Sequence, residues 1–202
     1  MLKRRKILVA GPNMAIEVSD DFDETLSKPS EVLVRNRFSH ISAGTELACI
    51  AGMESFFTIP GTPGYSSVGE VMDAGDGAGD LFPGDMVFTF GPHAEYFKID
   101  TGDRWHGICI PLPEGMDPEL AAFAHMGGIA ITALRKSRIE LGDDVLVTGL
   151  GVIGNLAAQL AQLQGGRVMA ADINGHRIAL AMQCGINTVL NSASGDLKSF
   201  VD

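Results

Sequence analysis

A glycine-rich turn in the second half of the chain has the residue types and spacing that phosphate binding requires. Its glycines, Gly149, Gly151 and Gly154, follow a short apolar run at 145–148, which predicts a buried parallel strand. In such a turn the first glycine allows a tight bend, the second lets the backbone approach a pyrophosphate, and the third lets the helix pack on the strand. A helix that begins here presents free N–H groups and a partial positive charge to a phosphate.

The elements around the turn complete a dinucleotide-binding pattern. Apolar residues recur at helical spacing from Ile153 to Ala161, and a second strand is predicted from Arg167 to Ala171. Asp172 follows that strand, at a place where a carboxylate can accept hydrogen bonds from the ribose hydroxyls of adenosine. An ordinary glycine-rich turn is the alternative, but strand, turn, helix, strand and acid in this order favour a β-α-β unit that binds a dinucleotide.

The acid at position 172 also bears on the identity of the dinucleotide. A carboxylate there would repel the 2′-phosphate of NADP(H), so we expect NAD(H) to be favoured over NADP(H). Arg177 lies shortly after it and could blur this preference by stacking on adenine or by reaching a phosphate. The expected cofactor-binding residues are Gly149, Gly151, Val152, Ile153, Gly154, Asp172, Ile173 and Arg177.

The bulk properties limit the possible partners. The formal net charge of -10 argues against nucleic acid and anionic membranes, because both are bound by clustered cations. The apolar stretch from Ile7 to Gly11 is too short for a secretory signal, and no segment is long enough to span a bilayer. Cys49, Cys109 and Cys184 are scattered without a Cys-x-x-Cys pair, as is typical of reduced thiols in the cytosol. We predict a cytoplasmic protein that binds neither nucleic acid nor membranes.

Residues 1–115 have the pattern of a β-rich domain. Short candidate strands alternate with turns rich in glycine and proline, which favours an all-β barrel or sandwich. In the strand predicted at 31–38 the residues alternate in character, so we expect one face to contact solvent. The other predicted strands are 6–11, 16–18, 64–74, 85–90 and 95–99.

Residues 116–202 change to alternating helices and parallel strands. Asp117-Pro118 is a helix start, and a break in the following helix is predicted at Gly127-Gly128. The predicted helices cover 117–126, 129–138 and 177–184, and a third strand is predicted at 189–190. Since a doubly wound fold has about six parallel strands, we expect this chain to be the first part of a longer protein.

Several short motifs occur in a fixed order along the chain. They are Glu31–Val34, Ser42–Glu46, Pro63–Val71, Pro83–Val87, His93–Tyr96 and Leu141–Asp143. With the glycine turn behind them, the chain resembles the medium-chain dehydrogenase/reductase superfamily. The resemblance implies an α/β plus β fold, in which a GroES-like β-barrel catalytic domain at 1–115 precedes the first part of a Rossmann doubly wound parallel sheet at 116–202. Two of the motifs, Ser42–Glu46 and Pro63–Val71, look most like the bacteriochlorophyllide a dehydrogenase branch.

The resemblance also implies that this chain holds no zinc. Zinc-dependent members carry a Cys-Gly-Thr/Ser-Asp loop and a Gly-His-Glu motif, and the corresponding positions here are Ala43 and Gly64-Tyr65-Ser66. The third ligand position corresponds to His125, and the four-cysteine structural zinc lobe is missing. A catalytic zinc needs three protein ligands and a water, so we expect no metal site.

Three residues are implied as catalytic candidates. Thr45 matches the superfamily position whose hydroxyl belongs to a proton relay, although it could instead be a turn threonine bonded to its own backbone. Tyr65 could donate a hydrogen bond to a substrate carbonyl, or it could fill the space that a metal leaves. His125 could act as an acid or pack on the nicotinamide, or it could be an interdomain residue.

The remaining acids and histidines carry weaker signals. His93 begins a motif expected near the mouth of the cleft, and a functional role is the less favoured reading. Glu46 and Glu70 resemble acids that hold loops together in the superfamily. The histidines without a partner signal, expected at the surface, are His40, His106 and His176.

Together these features predict a zinc-independent, NAD(H)-dependent oxidoreductase. It would transfer a hydride to or from a small-molecule alcohol/carbonyl pair or an activated alkene, in the cleft that the superfamily forms between its two domains. The full-length protein could form a homo-oligomer. Two alternatives stay open: a dinucleotide-binding protein without catalysis, with a redox-sensing or interaction role, or an inactive fragment of a longer dehydrogenase.

Overall fold

The computed structural model describes residues 1–201 and divides into two compact units, Met1–Ala124 and His125–Asp202. Asp202, where the predicted second domain ends, lies outside the described residues. The first unit is rich in antiparallel strands and the second alternates parallel strands with helices. The predicted functional boundary after residue 115 stays a prediction. Within residues 1–201, no helix combines the length and apolar character that crossing a membrane requires.

The first unit contains a hairpin and a five-stranded antiparallel sheet in the order β6-β3-β4-β5-β7. Isolated bridges from Lys6 to Ala94 and from Val9 to Gly61 tie the hairpin to segments that precede sheet strands. Valines from neighbouring sheet strands, with Phe97 and Ile99, form the main apolar cluster. The strands are β1 Leu2–Gly11, β2 Met14–Phe22, β3 Glu31–Ser39, β4 Ser67–Ala74, β5 Met86–Thr89, β6 Tyr96–Asp100 and β7 Cys109–Pro111.

Strand β3 corrects one prediction made from its alternating pattern. Val32, Leu33 and Val34 are all buried, although successive side chains point to opposite faces of a strand. The expectation of one solvent-exposed face is therefore wrong for the first half of β3. Val32 and Val34 belong to the main apolar cluster on one face, and the burial of Leu33 shows that the opposite face is covered too at this end of β3.

The helical region after the sheet corrects a second prediction. Helix α1, Thr45–Ile50, lies earlier in the unit, and helix α2 covers Pro118–Ala121. Asp117 caps α2 as predicted, because its Oδ1 accepts the Glu119 N–H at 2.9 Å. Helix α3, Ala124–Ser137, runs through Gly127-Gly128 without a break. A glycine costs a helix only about 1 kcal/mol relative to alanine, and the buried face of α3 outweighs that cost. Its buried residues are Met126, Ala130 and Leu134.

The second unit has the predicted parallel strands joined by helices. The strand order β10-β9-β8 places the strand before the glycine turn beside the strand before the acid. The buried core is made of small and branched residues from both layers: Leu150, Ala158, Ala170, Ala181 and Ile186. The elements are β8 Asp144–Thr148, α4 Val152–Leu163, β9 Arg167–Asp172, α5 Gly175–Gln183, β10 Thr188–Asn191 and α6 Leu197–Val201.

Candidate functional site

The glycine turn between β8 and α4 is built around two glycines that the backbone itself requires. Gly149 has a φ of 84°, in the left-handed region that favours glycine, and its N–H donates to the Ala171 carbonyl at 2.8 Å. A Cβ at Gly154 would lie 1.7 Å from the Gly149 carbonyl oxygen. Only glycine at position 154 therefore allows the first turn of α4 to lie so close to the bend.

Gly151 is different, because nothing in the part of the chain that the structure describes requires a glycine there. It is the N-cap of α4, no side chain caps the helix, and a Cβ at this position would meet no heavy atom within 4 Å. The open approach to uncapped N–H groups at a helix N-terminus fits a pyrophosphate. Val152 is exposed and Ile153 is half-buried on the first turn behind it.

Asp172 ties the glycine turn to the end of β9. Its side chain is almost fully buried, and its two oxygens accept the N–H groups of Leu150 at 2.6 Å and Asn174 at 2.7 Å. These backbone hydrogen bonds, that from Asn174 first, hold the pKa of the Asp172 carboxyl below its usual value. The carboxylate is therefore ionised and fixed in place. Sequence reasoning placed Asp172 at the end of the strand and missed its bond to the turn.

The residues after Asp172 are positioned by a helix cap. Asn174 Oδ1 accepts the N–H groups of His176 at 2.9 Å and Arg177 at 3.4 Å at the start of α5. This cap places Arg177 on the first turn, with its Nη1 3.8 Å from Asp172 Oδ2. Ile173 is exposed beside them. The structure thus groups the predicted phosphate and ribose residues around one turn in the second unit.

The candidates of the first unit lie on loops between sheet strands. Thr45 is the first residue of α1 and is half-buried, and Tyr65 is a half-buried residue just before β4. The segment around Tyr65 is held firmly, because Ser66 Oγ donates to the Ala122 carbonyl at 2.7 Å and Ser67 Oγ to the Gly91 carbonyl at 2.8 Å. His125 is half-buried near the start of α3, in the second unit.

A hydrogen-bonded cluster in the first unit joins Ser39 at the end of β3, Glu46 in α1 and His93, and of these only Glu46 is fully buried. His93 Nε2 lies 2.6 Å from Glu46 Oε2, and His93 Nδ1 lies 2.8 Å from Ser39 Oγ. Glu46 Oε1 also accepts the Ser42 N–H at 2.8 Å. The cluster was missed as a unit because its members are far apart in sequence. The sequence held one indication of this contact, because Glu46 is the last residue of the motif Ser42–Glu46 and His93 is the first residue of the motif His93–Tyr96.

His40 lies near this cluster. It was predicted to lie at the surface, but the structure shows it half-buried. Its ring is half-buried and stands 4.5 Å from the Phe123 ring, centre to centre. Burial lowers the pKa of His40, with a smaller opposing effect from the Glu46 charge and a further lowering from His93. The expectation of exposure failed because a single histidine on a loop carries no sequence signal for an aromatic partner.

Comparisons with known proteins agree with this geometry. The chain is 27% identical to an L-threonine 3-dehydrogenase of Stenotrophomonas maltophilia over 202 residues, covering 98% of this chain and 57% of that protein. It is 26% identical to a D-guloside 3-dehydrogenase of Shigella flexneri, covering 96% of this chain and 61% of that protein. A putative zinc-binding dehydrogenase from Sinorhizobium meliloti, solved with bound NADP, superposes with a TM-score of 0.85 at 21% identity, over 98% of this chain and 64% of that chain. The chain is thus similar to these dehydrogenases over nearly its whole length, in agreement with the predicted resemblance to the medium-chain dehydrogenase/reductase superfamily.

The predicted superfamily fold, a GroES-like β unit followed by Rossmann-type parallel strands, is thereby confirmed. The chain spans less than two thirds of the length of these superfamily relatives. No protein-family model matches the chain. The closer resemblance to the bacteriochlorophyllide a dehydrogenase branch stays a prediction.

The positions that correspond to metal ligands in zinc-dependent superfamily members, and the cysteines of this chain, were examined for metal-binding side chains in the structure; none of them forms a metal site among the described residues. Ala43 is an exposed residue just before α1. Among the described residues, no group of three or more histidine, cysteine, aspartate or glutamate side chains is placed to hold a metal ion. Burial raises the pKa of the Cys109 thiol to about 12 and raises that of Cys49 as well, so neither is a thiolate at neutral pH.

Proposed function

We propose that the chain is part of an oxidoreductase that transfers a hydride between a nicotinamide dinucleotide and a small-molecule alcohol/carbonyl pair or activated alkene. The observation that carries this proposal is the glycine turn anchored by Asp172. An open, uncapped helix N-terminus lies beside a buried ionised carboxylate at the adjacent strand end, which suits a pyrophosphate and a ribose. The free cysteines are compatible with a cytoplasmic location.

NAD(H) is the proposed cofactor. Each oxygen of Asp172 accepts one backbone hydrogen bond, which leaves lone pairs for ribose hydroxyls. A 2′-phosphate would meet the negative charge of this carboxylate. Arg177 would favour NADP(H) instead, because its guanidinium lies beside the same carboxylate and could form an ion pair with the 2′-phosphate. The S. meliloti protein was solved with NADP, so a direct comparison of the two cofactors is the deciding measurement.

The proposed substrate class is a secondary alcohol with polar neighbours. The two curated relatives are named as 3-dehydrogenases of L-threonine and of a D-guloside. Both compounds carry a secondary hydroxyl on carbon 3, next to a carbon that bears an amine or another hydroxyl. A hydroxyl or carbonyl of this kind needs hydrogen-bond donors and acceptors rather than a purely apolar pocket.

The chemistry follows from the residues of the two units. Gly149, Gly151 and Asp172 would hold the phosphate and ribose end of a nicotinamide dinucleotide, which would supply or accept the hydride when bound. Thr45 passes the proton to or from the substrate oxygen, and Tyr65 donates a hydrogen bond to the alkoxide that develops there, with His125 as the alternative donor. A donor fixed at a developing oxyanion replaces part of what a metal would supply.

The test is turnover by purified full-length protein. NADH oxidation should be detected with one or more members of a panel of ketones, amino ketones and keto sugars, and NAD reduction with the matching alcohols. A full-length protein that binds NADH and leaves the whole panel unreacted would contradict the proposal. Reactions without protein and reactions without substrate serve as blanks for background NADH oxidation.

A second candidate is a dinucleotide-binding protein without catalysis. It is favoured by Ala43 and Tyr65, which occupy positions where zinc-dependent superfamily members have metal ligands. NADH binding without turnover, with affinity unchanged in Thr45→Ala and Tyr65→Phe, would support this candidate over the enzyme.

A further inference from the structure

A cleft of about 420 Å³ in the first unit is lined by β1, the end of β3 and residues 93–95. That segment joins the two strands, because the Glu95 N–H donates to the Arg5 carbonyl at 2.8 Å and the Asn36 N–H donates to the Glu95 carbonyl at 2.9 Å. The Asn36 side-chain amide also donates to the Pro92 carbonyl at 3.2 Å. These hydrogen bonds fix the frame of the cleft, which has the volume of a small-molecule site.

The cleft is rich in cations although the chain is acidic. The whole chain has 15 lysines and arginines against 25 aspartates and glutamates, whereas four cations and two carboxylates line the cleft. The ratio of cations to acids is therefore reversed here, which favours an anionic ligand. The cations are Arg5, Lys6, Arg35 and Arg37, and the carboxylates are Glu17 and Glu95.

The Arg35 guanidinium is a cation of this group that has no acid of its own. The residue is half-buried, and no hydrogen bond or ion pair to another described residue engages its guanidinium. Glu70 lies directly opposite Arg35 on β4, but its Oε2 accepts a hydrogen bond from Arg37 Nη2 instead. Two guanidinium groups of β3 therefore share one carboxylate, which leaves one positive charge uncompensated.

Arg5 adds a third guanidinium, from β1. Its Nε lies 3.6 Å from Glu95 Oε2, beyond the range of a good hydrogen bond, and its side chain is 66% exposed. An exposed pair of this kind adds little energy, so Arg5 can turn toward a ligand. Lys6 contributes less, because its Nζ contacts Asp20 Oδ2 at 2.6 Å, outside the cleft.

Glu17 and the apolar residues of the lining indicate which part of the cleft suits the uncharged part of a ligand. Glu17 is an exposed residue of β2, and its charge would repel an anion on the hairpin side. Ile7 and Phe38 also line the cleft and offer apolar contact. The anionic group of a ligand therefore belongs beside Arg35, and its organic part can contact Ile7 and Phe38.

We propose that this cleft binds a small phosphate monoester through Arg35, Arg37 and Arg5. A guanidinium group pairs with phosphate or carboxylate oxygens through two parallel N–H donors. Three such groups lining one cleft suit the three terminal oxygens and the double charge of a phosphate monoester better than the two oxygens of a carboxylate. All these residues belong to the first unit, whereas the glycine turn lies in the second. The proposal therefore does not rest on oxidoreductase activity.

The experiment is a titration of full-length protein labelled with nitrogen-15 arginine, followed by nuclear magnetic resonance. The probes are propyl phosphate, inorganic phosphate, malonate and sodium chloride, all at the same ionic strength. Propyl phosphate should shift the Nε–H signals of Arg35 and Arg37 to saturation, at concentrations where chloride has no effect. Inorganic phosphate should bind less tightly, because it has no organic part to contact Ile7 and Phe38.

Four variants test the charges of the cleft. Arg35→Gln should weaken propyl phosphate binding about 10-fold or more, because a charge-assisted pair of hydrogen bonds is lost. Arg35→Lys keeps the charge without the planar fork and should bind with intermediate affinity. Glu17→Gln removes a repelling charge at an exposed position and should tighten binding. Arg104→Gln is the matched control and should not change the affinity, since Arg104 is an exposed arginine of the same unit that lies over the Trp105 ring, outside the cleft.

The proposal is overturned if Arg35→Gln keeps the wild-type affinity, or if malonate binds more tightly than propyl phosphate. Equal affinities for propyl phosphate and inorganic phosphate would also contradict it, because the ligand would then be free phosphate. A titration that shifts the Arg177 signal and leaves those of Arg35 and Arg37 in place would assign phosphate binding to the glycine turn, with the same consequence. Since no turnover is measured, a preparation that oxidises no NADH still tests the cleft, and its inactivity contradicts the oxidoreductase proposal alone.

Discussion

Asp172 shows how one side chain can serve two parts of a binding site. Its carboxylate holds the glycine turn through the Leu150 N–H and is also the proposed acceptor for the ribose hydroxyls. The low pKa of this acid, caused by backbone N–H groups, keeps it charged throughout the neutral range. A charge that is fixed by the backbone can discriminate between cofactors at little further entropic cost.

Asp172→Ser should reduce this discrimination. In wild type, NADH should bind at least ~10-fold more tightly than NADPH, a difference of about 1.4 kcal/mol. In the variant the two affinities should converge, while both fall somewhat because Leu150 N–H loses its acceptor. Fluorescence titration with each cofactor measures the ratio. Equal affinities in wild type, or an unchanged ratio in the variant, would contradict the proposed role of the carboxylate.

Thr45 is tested by a pair of substitutions that differ only in the hydroxyl. Thr45→Ala should lower kcat about 100-fold, because the proton of the substrate oxygen loses its carrier. Thr45→Ser keeps the hydroxyl and should retain most of the activity. Steady-state kinetics and NADH titration separate the loss of proton transfer from a loss of binding. Equal activity in both variants would show that the hydroxyl takes no part in the reaction.

At the scale of elements, the connection from β8 to α4 is the best determined part of the second unit. Its requirement for glycine comes from a backbone contact between positions 154 and 149, which no choice of rotamer can relieve. At position 151 a Cβ would meet no heavy atom of the described residues within 4 Å, and the proposed pyrophosphate would occupy this space. The two glycines therefore have separable roles.

Gly154→Ala and Gly151→Ala should separate folding from binding. The first introduces a clash with the Gly149 carbonyl and should lower the free energy of unfolding by about 1–3 kcal/mol or more, as overpacking does. The second should leave the thermal midpoint close to wild type and weaken NADH binding, because its methyl group lies where the pyrophosphate approaches. Thermal denaturation without NADH measures the loss of stability, and the rise in thermal midpoint on adding NADH measures binding. Normal NADH affinity in Gly151→Ala would exclude a close phosphate.

The β1–β2 hairpin contains a basic run at 3–6, and acids of β2 pair with three of its four residues. Arg4 and Lys6 both contact Asp20, at 2.7 and 2.6 Å, and these hydrogen bonds hold the pKa of Asp20 well below its usual range. A carboxyl with a lowered folded-state pKa adds stability that is present above its unfolded pKa, about 3.9. That stability is lost as the pH falls towards the folded-state pKa.

Asp20→Asn should therefore destabilise the protein at neutral pH and flatten its acid dependence. The difference in unfolding free energy between wild type and variant should shrink steadily below about pH 4. Urea denaturation at several pH values measures it, with Asp21→Asn as the control at the exposed Lys3 pair. A constant difference across the acidic range would mean that the Asp20 pairs add nothing to stability.

At the scale of the whole molecule, sequence reasoning worked where a pattern is local. The strand–turn–helix–strand order and the position of Asp172 follow from short-range spacing, and the structure reproduces them. The continuous helix α3, the doubly covered start of β3 and the Ser39–His93–Glu46 chain did not follow. Each depends on residues brought together from distant parts of the chain, as when His93 contacts Glu46. The local spacing of apolar residues cannot predict such long-range contacts.

The whole full-length enzyme should be independent of zinc. Ala43 and Tyr65 leave the positions of the usual thiolate and imidazole ligands without suitable donors. Dialysis against a chelator should leave kcat unchanged, elemental analysis should find no stoichiometric zinc, and added zinc should not raise the rate. Activity that is lost on chelation and restored by zinc would show that another set of ligands is assembled in the complete protein.

The bond between Asp172 and Leu150 has a consequence for attempts to re-engineer cofactor use. An acid at position 172 is proposed to repel the 2′-phosphate of NADP(H), so it is the first residue to exchange when NADP(H) use is wanted. Here that exchange would also remove the acceptor of the Leu150 N–H in the turn proposed to bind the pyrophosphate. Relief of repulsion at the 2′-phosphate would then be offset by weaker binding of the pyrophosphate. Substitutions at the exposed Ile173, together with the guanidinium already present at Arg177, offer a route that leaves the anchor of the turn intact.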